Sequence, residues 1–264
     1  MQLQGKWVWI TGASSGLGEA LSYEFAKNGA NLILSSRKQA DLERVKENCV
    51  SDVQVLIQVL DVANEQDQFG VITQKLIEQA GRIDILINNA GISQRGLVKD
   101  TKLDVDRKIM EINYFGAVAL TKAVLPFMLQ QGGGQFVVMS SLVGKFGSPL
   151  RSTYAASKHA LHGFFDSLRA ETVNENIKVT IICPGYIHTD VSKNAVTADG
   201  TAQGTTDAKT ASGLSPKVFA KRAVRNIARE KQEFSVGRSE TLGIYLKRFF
   251  PSVFAKIISK VNVT

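Results

Sequence analysis

A tyrosine and a lysine four residues apart, Tyr154 and Lys158 in STYAASK, combine residue types that can move a proton. On a helix such a pair shares one face, with Cβ atoms roughly 5–6 Å apart. An ordinary tyrosine has a pKa of about 10 and is a poor base at neutral pH, and a nearby ammonium favours its phenolate. We therefore expect Lys158 to lower the pKa of Tyr154, although the same spacing also arises by chance on helix surfaces.

A serine, Ser141, precedes Tyr154 by thirteen residues and follows a predicted strand. In open α/β sheets, ligands bind outside the carboxyl ends of the strands. The Ser141 hydroxyl can there hydrogen-bond a carbonyl or alkoxide beside Tyr154 and polarise it for hydride transfer. The neighbouring Ser140 should point to the opposite face and pack within the sheet.

The turn TGASSGLG, residues 11–18, joins the first predicted strand to the first predicted helix. Its glycines Gly12, Gly16 and Gly18 let a ligand approach the backbone, and its N–H groups and the helix dipole can face a pyrophosphate. The spacing GxxxGxG differs from the familiar GxGxxG. A tight turn that binds no ligand is the alternative.

The second predicted strand ends in LSSRK, where dinucleotide-binding folds often carry an acidic residue that binds the ribose 2′-hydroxyl. Here Ser36 takes the place of that carboxylate and Arg37 follows it. This pair should attract a 2′-phosphate, so the predicted cofactor is NADP(H). The alternative is that Arg37 is a solvated residue at a helix start.

Short apolar runs alternate with longer amphipathic stretches through the first 190 residues, as in repeated βα units. Several of the predicted strands are apolar almost throughout, which is typical of parallel sheets covered on both faces. The predicted fold is α/β, a Rossmann-type doubly wound parallel sheet of about seven strands with helices on both faces. The predicted strands are Trp7–Thr11, Asn31–Ser35, Val53–Leu60, Ile83–Asn88, Gln135–Ser140, Lys178–Cys183 and 233–237, and the helices are 17–28, 39–48, 65–80, 104–131 and 153–173.

The pattern breaks after Asp190. Residues 191–214 are rich in Ala, Gly, Thr and Ser without apolar periodicity, which is typical of a loop over a substrate. A helical pattern resumes near Ser215, and an amphipathic segment follows at 241–261. No linker divides the chain, so residues 1–264 are predicted to form a single domain.

Six motifs in this order resemble the short-chain dehydrogenase/reductase family over about residues 5–190: TGASSGLG, NNAG at 88–91, Asn113, Ser141, the Tyr154–Lys158 pair and PG at 184–185. The resemblance implies Tyr154 as general acid/base, Lys158 as ribose ligand and electrostatic support, and Ser141 as the residue that orients the carbonyl. It implies that Asn113 positions a proton-relay water, and it implies no metal.

The resemblance also places cofactor contacts after the third and fourth strands and in CPGYIHTD, which would hold the nicotinamide carboxamide. Asp61 could instead be an ordinary helix N-cap. His188, His159 and His162 are interpreted as structural. With the turn and the Ser36–Arg37 pair, the predicted cofactor-binding residues are Gly12, Ser14, Ser15, Gly16, Leu17, Gly18, Ser36, Arg37, Asp61, Val62, Asn89, Ala90, Gly91, Tyr154, Lys158, Pro184, Gly185, Ile187 and Thr189.

The sequence has 32 basic and 24 acidic residues spread along the chain, which argues against a nucleic-acid partner. Two cysteines and no signal-peptide flanks favour a soluble protein in a reducing compartment, the cytoplasm. Arg37 after the second strand, the segment SSLVGKFGSPLRSTYAASKHALHGFFDSLRAE and the apolar tail resemble 11β-hydroxysteroid-dehydrogenase-like enzymes. This resemblance implies a small hydrophobic carbonyl or alcohol as substrate. Its expected contacts are the loop 191–214 and Ser93, Leu97, Val143, Phe146, Leu150 and Tyr186.

The segment 241–261 repeats apolar residues at three- and four-residue steps with lysines and arginines between them, and breaks near Pro251. It can lie on an anionic membrane surface, giving a protein peripheral to a membrane, or pack on its own domain or on a partner subunit. The family resemblance implies a homodimer or homotetramer through the helices at 104–131 and 153–173. The alternative to an enzyme is a catalytically silent NADP(H)-binding regulator or scaffold.

Overall fold

The computed structural model describes residues 1–50 and 52–261. Its strands are β1 (Trp7–Thr11), β2 (Asn31–Ser36), β3 (Val55–Val59), β4 (Ile85–Asn88), β5 (Gln94–Arg95), β6 (Gly134–Met139), β7 (Ile177–Pro184), β8 (Val196–Thr197) and β9 (Glu233–Val236). Seven of them form a parallel sheet in the order β3-β2-β1-β4-β6-β7-β9, and β5 pairs with β8. The predicted Rossmann-type sheet, including the seventh strand, is confirmed.

Helices cover both faces of this sheet because its strands are apolar on both sides. On β1, Val8 and Ile10 pack under α1, α2 and α8, whereas Trp7 and Trp9 face α3, α5 and α6. The helices are α1 (Gly16–Lys27), α2 (Gln39–Glu47), α3 (Phe69–Ala80), α4 (Leu103–Met110), α5 (Gly116–Gln130), α6 (Ser152–Glu171), α7 (Ala208–Ala211), α8 (Pro216–Ala228), α9 (Leu242–Phe249) and α10 (Pro251–Ile258).

The strand order reverses direction at β1, which has β2 on one side and β4 on the other. Connections from the carboxyl ends of β1 and β4 therefore leave toward opposite faces of the sheet and open a crevice between them. The glycine-rich turn follows β1, and Asn89, Ala90 and Gly91 follow β4. Sheet topology alone thus brings two separate predicted motifs together.

Three predicted boundaries differ from the structure. The predicted helix 104–131 is interrupted by a π-helical turn, Glu111–Phe115, between α4 and α5. The predicted helix 65–80 starts as a 3₁₀ turn, Gln66–Gln68, and becomes α-helical only at Phe69. The predicted strand 53–60 pairs only over Val55–Val59, because its ladder ends with its partner β2.

Residues 191–214, predicted as a loop over the substrate, contain two short elements that the sequence pattern did not indicate. Val196 and Thr197 form β8 and pair with Gln94 and Arg95 in parallel, and residues 208–211 form the short helix α7. Composition could not reveal this, because a two-residue strand has no measurable periodicity and its partner lies about a hundred residues earlier.

Among the described residues, one stretch, Leu103–Gln130, is long and apolar enough to cross a membrane by length and composition. Its side chains Leu120, Val124 and Met128 are fully buried and belong to the core under the sheet. A core helix passes the same test, and packing against α3, β4 and β6 explains the apolar composition of this one.

The carboxyl-terminal residues form two short helices, α9 and α10, which meet at Phe250 and Pro251 as the predicted break requires. Phe254 is buried, and its ring centroid lies 4.9 Å from that of Phe146. Ile244, Leu246 and Ile258 also pack on the main core. One side of the amphipathic segment therefore docks on its own chain.

Candidate active site

The glycine-rich turn has a shape that side chains would prevent. Gly12 and Gly16 have φ values of +64° and +56°, the left-handed region that glycine adopts without strain. A Cβ atom at Gly18 would lie 2.1 Å from the Gly12 carbonyl oxygen, which is too close for any side chain. Asn89 Nδ2 donates to Thr11 O (2.9 Å) and Gly12 O (3.2 Å), tying the turn to β4.

A cavity of about 650 Å³ opens at the carboxyl ends of the strands and is lined by residues from the turn, the ends of β2 to β4 and β7, and α6. Gly18 does not line it, because this glycine packs against the turn from behind. Every other predicted cofactor-binding residue does: Gly12, Ser14, Ser15, Gly16, Leu17, Ser36, Arg37, Asp61, Val62, Asn89, Ala90, Gly91, Tyr154, Lys158, Pro184, Gly185, Ile187 and Thr189.

The adenosine end of this cavity carries a polar atom without a partner. Ser36 Oγ is buried and accepts or donates no hydrogen bond among the described residues. Buried polar groups are nearly always paired, so an orphaned hydroxyl facing a cavity fits a ligand that supplies the partner. Arg37 is exposed beside it. These residues fit the ribose of a dinucleotide.

Asp61 also lines the cavity, but its carboxylate has internal partners. Asp61 Oδ1 accepts from Ala63 N at 3.0 Å and Oδ2 from Asn64 Nδ2 at 3.0 Å. Asp61 therefore caps the turn that follows β3, which agrees with the alternative interpretation of this residue as an N-cap. A ligand contact and a capping role are compatible, since a carboxylate can accept about four hydrogen bonds.

The catalytic candidates meet beside the nicotinamide end. Lys158 Nζ lies 5.7 Å from the centroid of the Tyr154 ring and donates to Met139 O at 2.8 Å. Tyr154 and Ser141 line the same cavity, and the neighbouring Ser141 side chain acts to lower the pKa of the phenol. The expected grouping of these three side chains on one cavity is therefore present.

The charge states differ from the expectation that Lys158 acidifies Tyr154. Burial raises the pKa of Tyr154, opposed by the bond with Ser141 and by the positive charges of Arg151 and Arg95, and its net shift is upward. Burial lowers the pKa of Lys158 to about 8. The expected direction was wrong because spacing on a helix reveals neighbours but not desolvation.

Asn113 lies inside the π-helical turn, a feature that often occurs at functional sites. Its Oδ1 accepts from Ile92 N (2.8 Å), and its Nδ2 donates to Ile92 O (3.0 Å) and Ser157 Oγ (3.1 Å). The side chain is buried and does not line the cavity. It braces the segment after β4 against α6, directly behind Gly91 and Lys158.

Sequence reasoning missed a buried charged cluster next to Tyr154. Asp207 forms an ion pair with Arg95, and its Oδ2 lies 3.5 Å from Arg151 NH2. Gln203 Nε2 donates to Asp207 Oδ1 at 2.9 Å, and all three charged side chains are nearly inaccessible to solvent. The only signal was two arginines close to a predicted site, and their partner lies far along the chain.

A second missed residue, Gln94, positions the helix that carries Tyr154. Gln94 Oε1 accepts from Thr153 N (2.9 Å) and Tyr154 N (3.1 Å), which are free donors at the start of α6. This cap holds the first turn of α6 against β5. The position of the phenol therefore depends on the segment that follows β4.

The expected substrate contacts are partly corrected. Ser93 lines the cavity, and so do Asp190, Val191, Asn194 and Ala202 at the start of the expected loop. Val143 and Phe146 are buried in the core instead, where Phe146 packs against Phe254 of α10. Leu97, Leu150 and Tyr186 lie outside the cavity lining. The Tyr186 ring is 6.0 Å from Arg151 Cζ and 5.8 Å from Lys209 Nζ.

Two histidines have structural contacts. His162 Nε2 lies 2.9 Å from Ser140 Oγ, and His159 Nδ1 lies 2.8 Å from Ala155 O. Within residues 1–50 and 52–261, no three His, Cys, Asp or Glu side chains are grouped as a metal ion would require.

Comparisons with known proteins agree with this geometry. A family model described as short chain dehydrogenase matches residues 6–200. The chain is 44% identical to "Dehydrogenase/reductase SDR family protein 7-like" of Drosophila melanogaster, covering 98% of this chain and 81% of that protein. It is 42% identical to "Dehydrogenase/reductase SDR family member 7B" of Xenopus laevis, covering 97% and 82%.

Among solved structures, a short chain dehydrogenase/reductase from Burkholderia phymatum in complex with NAD superposes with a TM-score of 0.85 at 21% identity, covering 96% of each chain. This likeness concerns the fold. The family match and the two relatives identify the chain as a member of the short-chain dehydrogenase/reductase family, oxidoreductases whose fold binds a nicotinamide cofactor.

Proposed function

We propose that the protein interconverts a carbonyl and an alcohol on a small hydrophobic substrate with NADP(H) as cofactor. The observation that carries the reaction type is the grouping of Tyr154 and Ser141 on one cavity, with buried Lys158 Nζ 5.7 Å from the centroid of the Tyr154 ring. A phenol with a raised pKa is protonated at neutral pH and can donate its proton to a developing alkoxide. This charge state is the one that carbonyl reduction requires of its general acid.

A bound nicotinamide supplies the hydride. Ser141 Oγ hydrogen-bonds the substrate carbonyl oxygen and orients it, and Tyr154 donates the proton to that oxygen as negative charge develops. Lys158 Nζ would hold a ribose hydroxyl of the cofactor and, when protonated, places a positive charge 5.7 Å from the centroid of the Tyr154 ring. In the reverse direction Tyr154 accepts the proton of the alcohol.

The cofactor preference rests on the Ser36–Arg37 pair. Arg37 is exposed at the cavity, and no carboxylate pairs with it among the described residues. An unpaired guanidinium beside the ribose stabilises a 2′-phosphate by charge-assisted hydrogen bonds. Apolar residues that line the cavity, among them Ile92, Met139 and Val191, support a hydrophobic substrate.

The test is Tyr154→Phe, assayed with NADPH and a panel of hydrophobic aldehydes and ketones. We expect turnover to fall by ~100-fold or more with folding intact, the scale usual for general acid/base groups. Tyr23→Phe, on α1 outside the cavity lining, is the matched control. Retained activity would remove Tyr154 from its role, and NADPH binding without any turnover in the parent would favour the silent regulator.

We also propose a homodimer or homotetramer, assembled through α4–α5 and α6, and a cytoplasmic protein in peripheral contact with a membrane. Phe115 and Leu129 are exposed on the α4–α5 segment, which supports a subunit contact there.

Both cysteines are free in the structure, which is compatible with a reducing compartment. The exposed side of α9 and α10 supports the membrane contact.

A further inference from the structure

A second cavity, of about 730 Å³, lies between α8, β9 and α9 and shares no lining residue with the dinucleotide cavity. We call it the arginine groove. Three arginines of α8, Arg222, Arg225 and Arg229, line it together with Phe234 and Tyr245. The arginines are spaced at i, i+3 and i+7, so their side chains share one helix face.

None of these three guanidinium groups has an ion-pair or hydrogen-bond partner within the described residues. Two arginines on other helices do have such a partner: Arg44 pairs with Glu19, and Arg169 pairs with Asp166. One carboxylate, Glu233, lines the groove, but it is bound by Lys145 Nζ at 2.6 Å and approached by His162 Nδ1 at 3.5 Å. The groove is therefore positively charged, and complementary charge requires an anionic ligand.

The rim of the groove is apolar. Leu242, Tyr245 and Phe249 lie on one face of α9 and are 64%, 63% and 68% exposed. Phe250 and Val253 extend this surface onto α10. The opposite side of both helices packs on the core, so the exposed residues contribute little to folding, and contiguous apolar patches of this kind mark interaction sites.

We propose that the arginine groove binds the phosphate groups of anionic phospholipids in a bilayer, while the exposed side of α9 and α10 enters the headgroup region. Aromatic side chains and arginines are the residue types that anchor proteins at this interface. This inference rests on the membrane contact proposed above. It adds that the arginine groove, a site separate from the dinucleotide cavity, recognises the lipid phosphates.

Two other occupants fit the surface less well. A second copy of the chain in a symmetric contact would place three arginines against three arginines, and like charges repel across an interface. A soluble phosphate would leave the apolar rim exposed to water. A bilayer supplies phosphates for the three arginines and an apolar environment for the exposed side chains of α9 and α10.

The test is sedimentation of the full chain with vesicles of phosphatidylcholine alone and of phosphatidylcholine with phosphatidylserine. The variant carries Arg222→Gln, Arg225→Gln and Arg229→Gln. The control carries Lys27→Gln, Lys46→Gln and Lys75→Gln, the same change of net charge on exposed positions of α1, α2 and α3. Each basic residue near an anionic membrane contributes roughly a fivefold change in partitioning, so we expect a loss of ~100-fold for the arginine variant.

The control should bind the serine-containing vesicles like the parent. Equal binding of parent and arginine variant, or an equal loss in both variants, would overturn the assignment. Saturable binding of inorganic phosphate by the parent without any vesicle binding would identify a soluble-phosphate site and overturn the bilayer. NADPH binding and the activity of Tyr154→Phe are measured in separate assays that contain no vesicles. Failure of the oxidoreductase proposal would appear in those assays, whereas failure of the arginine-groove proposal would appear only in the vesicle sedimentation.

Discussion

Burial acts on the charges of Tyr154 and Lys158 in opposite directions. The raised pKa of the phenol keeps its proton available, and the lowered pKa of the amine, about 8, reflects the cost of burying an ammonium. Without ligand the amine has Met139 O as its hydrogen-bond partner. Burying Lys158 at the cavity therefore lowers the free energy of unfolding of the ligand-free protein.

Lys158→Met is expected to stabilise the ligand-free protein at pH 7 by roughly 3 kcal/mol, because the amine's pKa falls from 10.5 in the unfolded chain to about 8 when folded. Between pH 8 and pH 10.5, the Lys158 amine is protonated in the unfolded chain but neutral in the folded protein. The advantage of the variant is therefore complete below pH 8 and disappears as pH rises to 10.5. Urea unfolding of both proteins at pH 7 and pH 10 measures it, and a gap that does not shrink at high pH would contradict the assignment.

Arg37→Asp is expected to shift the preference from NADPH toward NADH by ~10-fold or more, because a carboxylate repels a 2′-phosphate and accepts from a 2′-hydroxyl. The ratio of dissociation constants for the two cofactors, measured by fluorescence titration, is the observable. Lys108→Asp, with the same change of charge on α4 outside the cavity lining, is the control. An unchanged ratio would mean that another residue binds the phosphate.

At the scale of elements, three segments distant in sequence determine where α6 begins. Gln94 on β5 caps its first turn, Arg151 immediately precedes it, and Asp207 at the start of α7 joins Arg151 to Arg95. The segment 191–214 is thus attached both to the floor of the cavity and to the helix that carries Tyr154.

Asp207→Asn is expected to lower the free energy of unfolding by about 3 kcal/mol, since it leaves two buried arginines without a carboxylate. Burial alone would raise the pKa of Asp207, but its bonds from Arg95 and Gln203 place the pKa below its ordinary value. The stabilisation is therefore present above pH ~4 and is lost as pH falls through the folded pKa.

Urea titrations at pH 7 and pH 3 check this prediction. Asp104→Asn, which removes an exposed ion pair with Arg107, serves as control and should change stability little. An equal effect of the two substitutions would show that the buried cluster is not a stabilising contact.

At the scale of the whole molecule, the proposed oligomer depends on apolar side chains of α4–α5 that are exposed and do not pack in the core. Phe115, in the π-helical turn, is 47% exposed although the helix around it packs on the sheet. The single-domain interpretation of residues 1–264 stays a prediction, and residues 51 and 262–264 lie outside the described residues.

Phe115→Lys is expected to shift the protein toward monomer, because it places a charge at the proposed interface, where burial without a partner is costly. Light scattering coupled to size exclusion measures the mass. Val71→Lys on α3, an equally polar change at an exposed position outside both helices, should leave the mass unchanged. A monomeric parent protein would make the oligomer proposal wrong.

The sequence by itself determined the βα alternation, the glycine turn, the Ser36–Arg37 pair and the Ser141, Tyr154 and Lys158 constellation. These signals are local: strands buried on both faces must be apolar, a tight turn requires glycine, and an i, i+4 pair shares a helix face. Asn113 was named only by the family resemblance, as the residue that positions a proton-relay water; in the structure it lies behind the cavity lining and contacts Ile92 and Ser157, which the sequence did not indicate.

Only the tertiary structure decided the charge states and the long-range contacts. Desolvation depends on everything packed around a group, so the upward shift of Tyr154 could not follow from its distance to Lys158. The pairing of β5 with β8, the ion pair of Arg95 with Asp207 and the docking of Phe254 on Phe146 each join residues more than a hundred positions apart, and Arg151 lies 56 positions from Asp207. No periodicity records such contacts, because they arise where the folded chain returns to the same place.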